Sequence, residues 1–73
     1  MTEVNTNEMK AAMKRNQDTQ EKLAEALDLQ LSGVNARVNG KIDFRCSEIM
    51  KIVNRYKLSP EDTAKIFFNT TAS

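Results

Sequence analysis

Apolar residues recur along this chain at spacings of three and four, the period of an amphipathic helix. The stretch from Thr19 to Leu27 shows it well: Leu23, Ala24 and Leu27 share one side, while Glu21, Lys22 and Glu25 share the other. Asp28 interrupts the pattern and Leu29 supplies one apolar residue. A second stripe then starts with Val34 and Val38 and stops at Asn39-Gly40. Helix, tight turn and helix, with an apolar residue in the hinge, is the helix-turn-helix unit, and the spacing predicts its two helices over about residues 20–28 and 31–39.

Three more helices follow from the same kind of pattern. Residues Met1 to Val4 read as a frayed end, yet Val4 is also placed to staple against Met9, because Asn5 with Glu8 three residues later has the form of a capping box. Met9, Ala12 and Met13 then make the buried stripe of a first helix over about residues 6–16, closed by Asn16-Gln17-Asp18. Lys10, Lys14 and Arg15 point outward from it, as a phosphate or acidic-partner contact or as a solvated face suited to the helix dipole.

Past the loop Gly40-Lys41-Ile42-Asp43, Phe44 and Ile49 stand at staple positions if Arg45 is the cap. Ile49, Ile52, Val53 and Tyr56 form the best amphipathic stripe in the chain, predicting a fourth helix over about residues 45–56. Glu48, Lys51 and Arg55 are expected on its outer face, with Lys57 just beyond. Ser59-Pro60-Glu61-Asp62 is the clearest helix start, with Ser59 as cap and Pro60 where a missing N–H does no harm. The fifth helix, over about residues 60–68, carries Ala64, Ile66, Phe67 and Phe68 before a polar tail of residues 69–73. Successive helix positions are about 100° apart, so at least one of the last three apolar residues is expected to be exposed in a monomer, or buried in a weak homodimer.

Composition narrows the function. A chain of 73 residues is expected to form one domain, 1–73, with a small core. It has no histidine, and Cys46 is its single cysteine, which excludes a disulfide framework, a zinc finger and histidine-based catalysis within one chain. Two glycines cannot build a phosphate-cradling loop, and no carboxylate pair has acid–base or metal-binding partners, so neither an enzyme, a metal site nor a cofactor is expected. Cys46 reads as a structural residue. No apolar run approaches the roughly 20 residues of a membrane span, and MTEVNTNEMK lacks the features of a signal peptide, so the expectation is a soluble cytoplasmic protein without membrane contact. Eleven basic against ten acidic residues leave a formal charge of +1, unfavourable for gripping phosphates. Gly33 inside the third helix costs about 0.5–1 kcal/mol relative to alanine, which either close approach of a partner or tolerant packing would explain.

These features describe an all-α protein, a compact five-helix domain with the helix-turn-helix at its second and third helices, resembling the DNA-binding domains of phage repressors and Cro-type proteins. The runs DTQEKLAEALDL, VNARVNGK, Ile49 to Tyr56, LSPED and IFF are similar, over about three quarters of the chain, to small lysogeny-switch regulators of temperate phages of Gram-positive bacteria. They look most like the modulator-of-repression group, antirepressors that oppose the lysogenic repressor. In the wider family, bases are read from the start of the third helix with help from the start of the second. Carried onto this chain, the resemblance implies recognition by Thr19, Gln20, Gln30, Leu31 and Ser32, and by Gly33, Asn35, Ala36 and Arg37.

Gln20, Gln30 and Asn35 suit base edges chemically, whereas Leu31, Gly33 and Ala36 suit close packing against a protein. Arg37 is the one cation between Asp28 and Lys41. Two functions are therefore expected as alternatives. In the first, an antirepressor binds the DNA-binding domain of the phage repressor through this face, with Glu21, Glu25 and Asp28 meeting the repressor's basic residues, and so blocks operator binding. In the second, a Cro-like regulator dimerises on operator DNA, with Arg37, Lys41 and the fourth-helix cations on phosphates. A joint complex of repressor, this protein and operator is a mixed case. All of these would act in the cytoplasm of the bacterial host.

Overall fold

The computed structural model describes residues 4–68; Met1 to Glu3 and the expected polar tail, residues 69–73, lie outside the described residues. Five α-helices account for the described fold: α1 Thr6–Arg15, α2 Gln20–Leu27, α3 Leu31–Val38, α4 Cys46–Tyr56 and α5 Pro60–Phe67. Each ends within a residue of where its apolar period and caps place it. Three starts are closed by side chains, two of them the expected caps: Asn5 Oδ1 and Ser59 Oγ, and also Thr19 Oγ1, accept the N–H groups of Glu8, Asp62 and Lys22 respectively, each at 3.1 Å. Val4 is not frayed. It is half-buried against the core, and the next residue donates its backbone N–H to Ile66 O at 2.7 Å, tying the start of α1 to α5.

All five helices contribute to one core, consisting of Met9, Ala12 and Met13 from α1, Leu23, Ala24 and Leu27 from α2, Val34 and Val38 from α3, Ile52 and Tyr56 from α4, and Ile66 and Phe67 from α5. Three of the apolar positions expected inside fall short. Ile49 and Val53 are only half-buried and Ala64 is exposed. Of the Ile66-Phe67-Phe68 run, two residues enter the core and Phe68 stays 49% exposed, as the 100° step requires. Phe67 meets Phe44 edge-on at 5.4 Å, which seats the α3–α4 loop against α5.

The helix ends repeat one device that the sequence announces once. After α3, Gly40 adopts φ +79°, and Lys41 N–H reaches Ala36 O at 2.8 Å while Gly40 N–H reaches Arg37 O at 3.1 Å, the paired closure of a Schellman turn. The same six-to-one bond closes α1 (Asp18 to Met13, 2.9 Å), α2 (Leu29 to Ala24, 2.9 Å) and α4 (Leu58 to Val53, 3.0 Å). There the left-handed residue is Gln17, Asp28 or Lys57, none a glycine. A side chain in that conformation costs roughly 1 kcal/mol, so Lys57→Gly, which removes an exposed side chain at φ +52°, is expected to stabilise the fold by about 0.5–1 kcal/mol. Thermal denaturation checks this; an unchanged or lower midpoint would show that Lys57 is not strained.

Candidate functional site

α2 and α3 are joined by Asp28-Leu29-Gln30. Asp28 supplies the left-handed turn, and half-buried Leu29 anchors it against the core. The turn sets the N-terminal halves of the two helices side by side, so Gln20 and Glu21 of α2 and Leu31, Ser32 and Asn35 of α3 line one open cleft of about 530 Å³. Five of the residues expected to bind a partner or DNA therefore meet on a single open surface. Asn35 Nδ2 donates to Gln20 Oε1 at 3.1 Å, and Asn39 Nδ2 donates to Asn35 Oδ1 at 3.2 Å. This relay of exposed amides links Gln20 of α2 to Asn35 and Asn39 at α3. Leu31, 47% exposed, is its apolar element and Glu21 its one charged group. Gln30 is exposed just before Leu31, as the cap residue of α3, but its side chain makes no capping bond.

The other expected site residues are placed elsewhere: Thr19 is the exposed cap of α2, its Oγ1 already accepting Lys22 N–H. Gly33, Ala36 and Arg37 lie half-buried along the side of α3 away from the cleft residues, and Lys41 is exposed in the turn beyond the helix. Arg37 is turned inward: Nε donates to Glu48 Oε1 and Nη1 to Gly33 O, both at 3.0 Å, leaving the side chain 11% exposed. Glu48, expected on the outer face of α4, is instead buried, with 6% exposure. The same Oε1 accepts Arg45 N–H at 2.9 Å. Arginine has no acceptor, so the Arg45 cap cannot close α4 through its own side chain; Glu48 at the third helical position supplies the half of the capping box that survives. Gly33 also gains a reason here, since a Cβ at this position would stand 3.2 Å from Arg37 Nη1. The missing side chain is the lane along which the guanidinium reaches the helix carbonyl.

A second paired cation, on the surface, lies at the far end of α4. Arg55 clamps Asp18 through Nε–Oδ2 at 3.0 Å and Nη2–Oδ1 at 2.9 Å, and the Tyr56 hydroxyl donates to the same Oδ2. Asp18, with 3% side-chain exposure, thereby ties the α1–α2 junction to the last turn of α4. The Arg55 hydrogen bonds hold the Asp18 carboxyl below its ordinary value against the opposing effect of burial, while burial and the neighbouring Asp18 push the Tyr56 phenol up. Two of the cations that could have served a phosphate-binding surface are thus engaged by carboxylates. Glu48 had a local signal, its position three residues after a helix cap; Asp18 had none, because Arg55 is 37 residues away.

The fold and cleft define a small all-α domain whose α2–α3 cleft is lined by amides and carries no positive charge. No family model matches the chain, and no curated protein matches it. Among the described residues no helix is long and apolar enough to cross a membrane.

Proposed function

We propose that α2 and α3 act as a helix-turn-helix whose cleft engages a protein, and that the chain is a phage-type antirepressor binding the DNA-binding domain of a lysogenic repressor in the bacterial cytoplasm. The observation that carries this reading is the placement of Arg37. It is the one cation within α3, and with its guanidinium on Glu48 and Gly33 O the exposed positions of that helix carry no positive charge. Phosphate neutralisation supplies most of the affinity of a DNA-binding helix, and this helix has none to offer. Leu31 offers apolar area, the Asn35–Gln20 relay offers fixed polar groups, and Glu21 with exposed Glu25 and Asp28 complements the basic surface that a repressor presents to operator phosphates. Occupying that surface would release the operator.

The test is titration of labelled operator with purified repressor, with and without this protein, beside this protein alone. The expected result is loss of the repressor–operator complex as the protein is added, and no specific shift by the protein alone. Tight, specific binding of operator by this chain alone would overturn the reading.

Two features favour the Cro-like alternative: Gln20 and Asn35 are amides of the type that reads adenine, and Phe68 stands half-exposed beside Phe44 and Ile49, where a dimer would cover it. In that case Lys41 would lie on a phosphate, and Lys41→Gln would reduce the salt slope of operator binding by about one. The same titration separates the two.

A further inference from the structure

We infer that Glu48 is a specificity-determining residue that keeps this chain off nucleic acid by holding Arg37 inside the fold. The inference rests on α2 and α3 being the recognition unit and adds what decides its choice of partner. Glu48 is a positioning residue acting through Arg37. Its carboxylate is fixed independently of Arg37, because Oε1 also accepts Arg45 N–H at the start of α4, so the guanidinium meets an acceptor already in place. Gly33 clears the approach, as a Cβ there would crowd Nη1 at 3.2 Å, and its carbonyl takes the second hydrogen bond. Two elements thus converge on one side chain: the bare backbone of α3 and the first turn of α4 with its buried carboxylate.

Arg37 lies within one turn of the exposed Lys41, at the end of a helix that carries no other cation. Released from Glu48, a side chain as long as arginine swings past the half-buried edge of α3 and places a second positive charge beside Lys41. The edge then has the charge that phosphate contact requires. Glutamine at position 48 removes the negative charge that holds the guanidinium and leaves only a neutral acceptor, so the hold on Arg37 is weakened while the carbonyl oxygen still accepts Arg45 N–H and the start of α4 is preserved.

The experiment measures binding of the full chain to a random-sequence DNA duplex by fluorescence anisotropy across a salt series, without repressor, so its outcome is independent of whether the cleft takes a repressor. Glu48→Gln is expected to raise duplex affinity about threefold or more at low salt and to steepen the salt slope by about one. The double variant Arg37→Gln/Glu48→Gln is expected to return both to the wild-type values, which separates release of Arg37 from loosening of the fold. A folded Glu48→Gln chain with wild-type affinity and slope overturns the inference, as does a gain that persists in the double variant. Should Glu48→Gln fail to fold, the wild-type chain decides by the NMR signal of Arg37 Nε–H. Exchange with solvent much slower than at exposed Arg15 supports the inference, and equal exchange overturns it.

Discussion

Asp18→Ala is expected to lower the stability of the fold by about 2–3 kcal/mol, and with it the melting temperature by more than about 10 °C for a domain of this size. The residue looks minor in sequence, a polar position between two helices. In the fold it accepts two hydrogen bonds from Arg55 and one from the Tyr56 hydroxyl while being 3% exposed. Alanine leaves the hydroxyl of a residue that is 7% exposed without its acceptor, and the junction of α1 and α2 loses its tie to α4. The Arg55 part of the loss is discounted, since that side chain is 35% exposed and recovers water. Asp18→Asn, which keeps one acceptor oxygen, should cost about half as much.

The pH dependence of the same network has a definite sign. Because the folded Asp18 carboxyl lies below its ordinary value, its stabilising contribution is complete above the unfolded carboxyl's pKa of about 4 and is lost as pH falls through the lower folded value. Tyr56 behaves oppositely: raised in the fold, it contributes below the unfolded phenol's pKa of about 10, and that contribution is lost as pH rises through the raised folded value. Melts of wild type and Asp18→Asn should therefore differ by a constant amount across neutral pH and converge in acid below about pH 4. A gap that stays constant down to pH 2 would show that the Asp18 carboxylate is not the group being titrated.

Glu21→Lys is expected to weaken repressor binding by about 10- to 100-fold, since it reverses the cleft's one charge against a basic partner. Leu31→Ala should weaken it by about 5- to 20-fold, the effect of burying most of a leucine side chain that is 47% exposed in the free chain. Both positions are on the surface, so neither should move the thermal midpoint by more than about 0.5 kcal/mol equivalent, which makes the loss attributable to the cleft. The measurement is the concentration of each variant needed to release half the operator-bound repressor. Wild-type potency in both would place the contact away from α2 and α3. Full potency in Glu21→Lys alone would leave the leucine contact but remove charge complementarity as the reason for partner choice.

The helices and their order were legible because the information for them is local. An apolar side chain recurring every three or four residues, an Asn, Thr or Ser followed by free backbone N–H groups, and a proline at the first helical position all act within a turn or two of themselves. Gln20, Leu31, Ser32 and Asn35 were expected together from the resemblance, and one short turn does bring them together with Glu21, whereas the expected Gly33, Ala36 and Arg37 lie on another side of α3. The turn itself was less legible, since Asp28, Gln17 and Lys57 take the left-handed conformation without being glycine, held there by the six-to-one bonds and the packing of the residues that follow.

What the tertiary structure alone decided is which charges remain on the surface. Arg37 and Arg55 read as outward cations in sequence, and Glu48 as a solvated acid, because a charged residue at an outer helical position is normally hydrated. Their partners sit 11 and 37 residues away, and whether an arginine folds back or reaches out depends on which helix lies within reach of its side chain. The chain's own periodicity thus determined five helices, their caps and the face they share. Which of its cations are paired was decided by long-range ion pairs, whose geometry exists only once α3 and α4, and the α1–α2 junction and α4, have met.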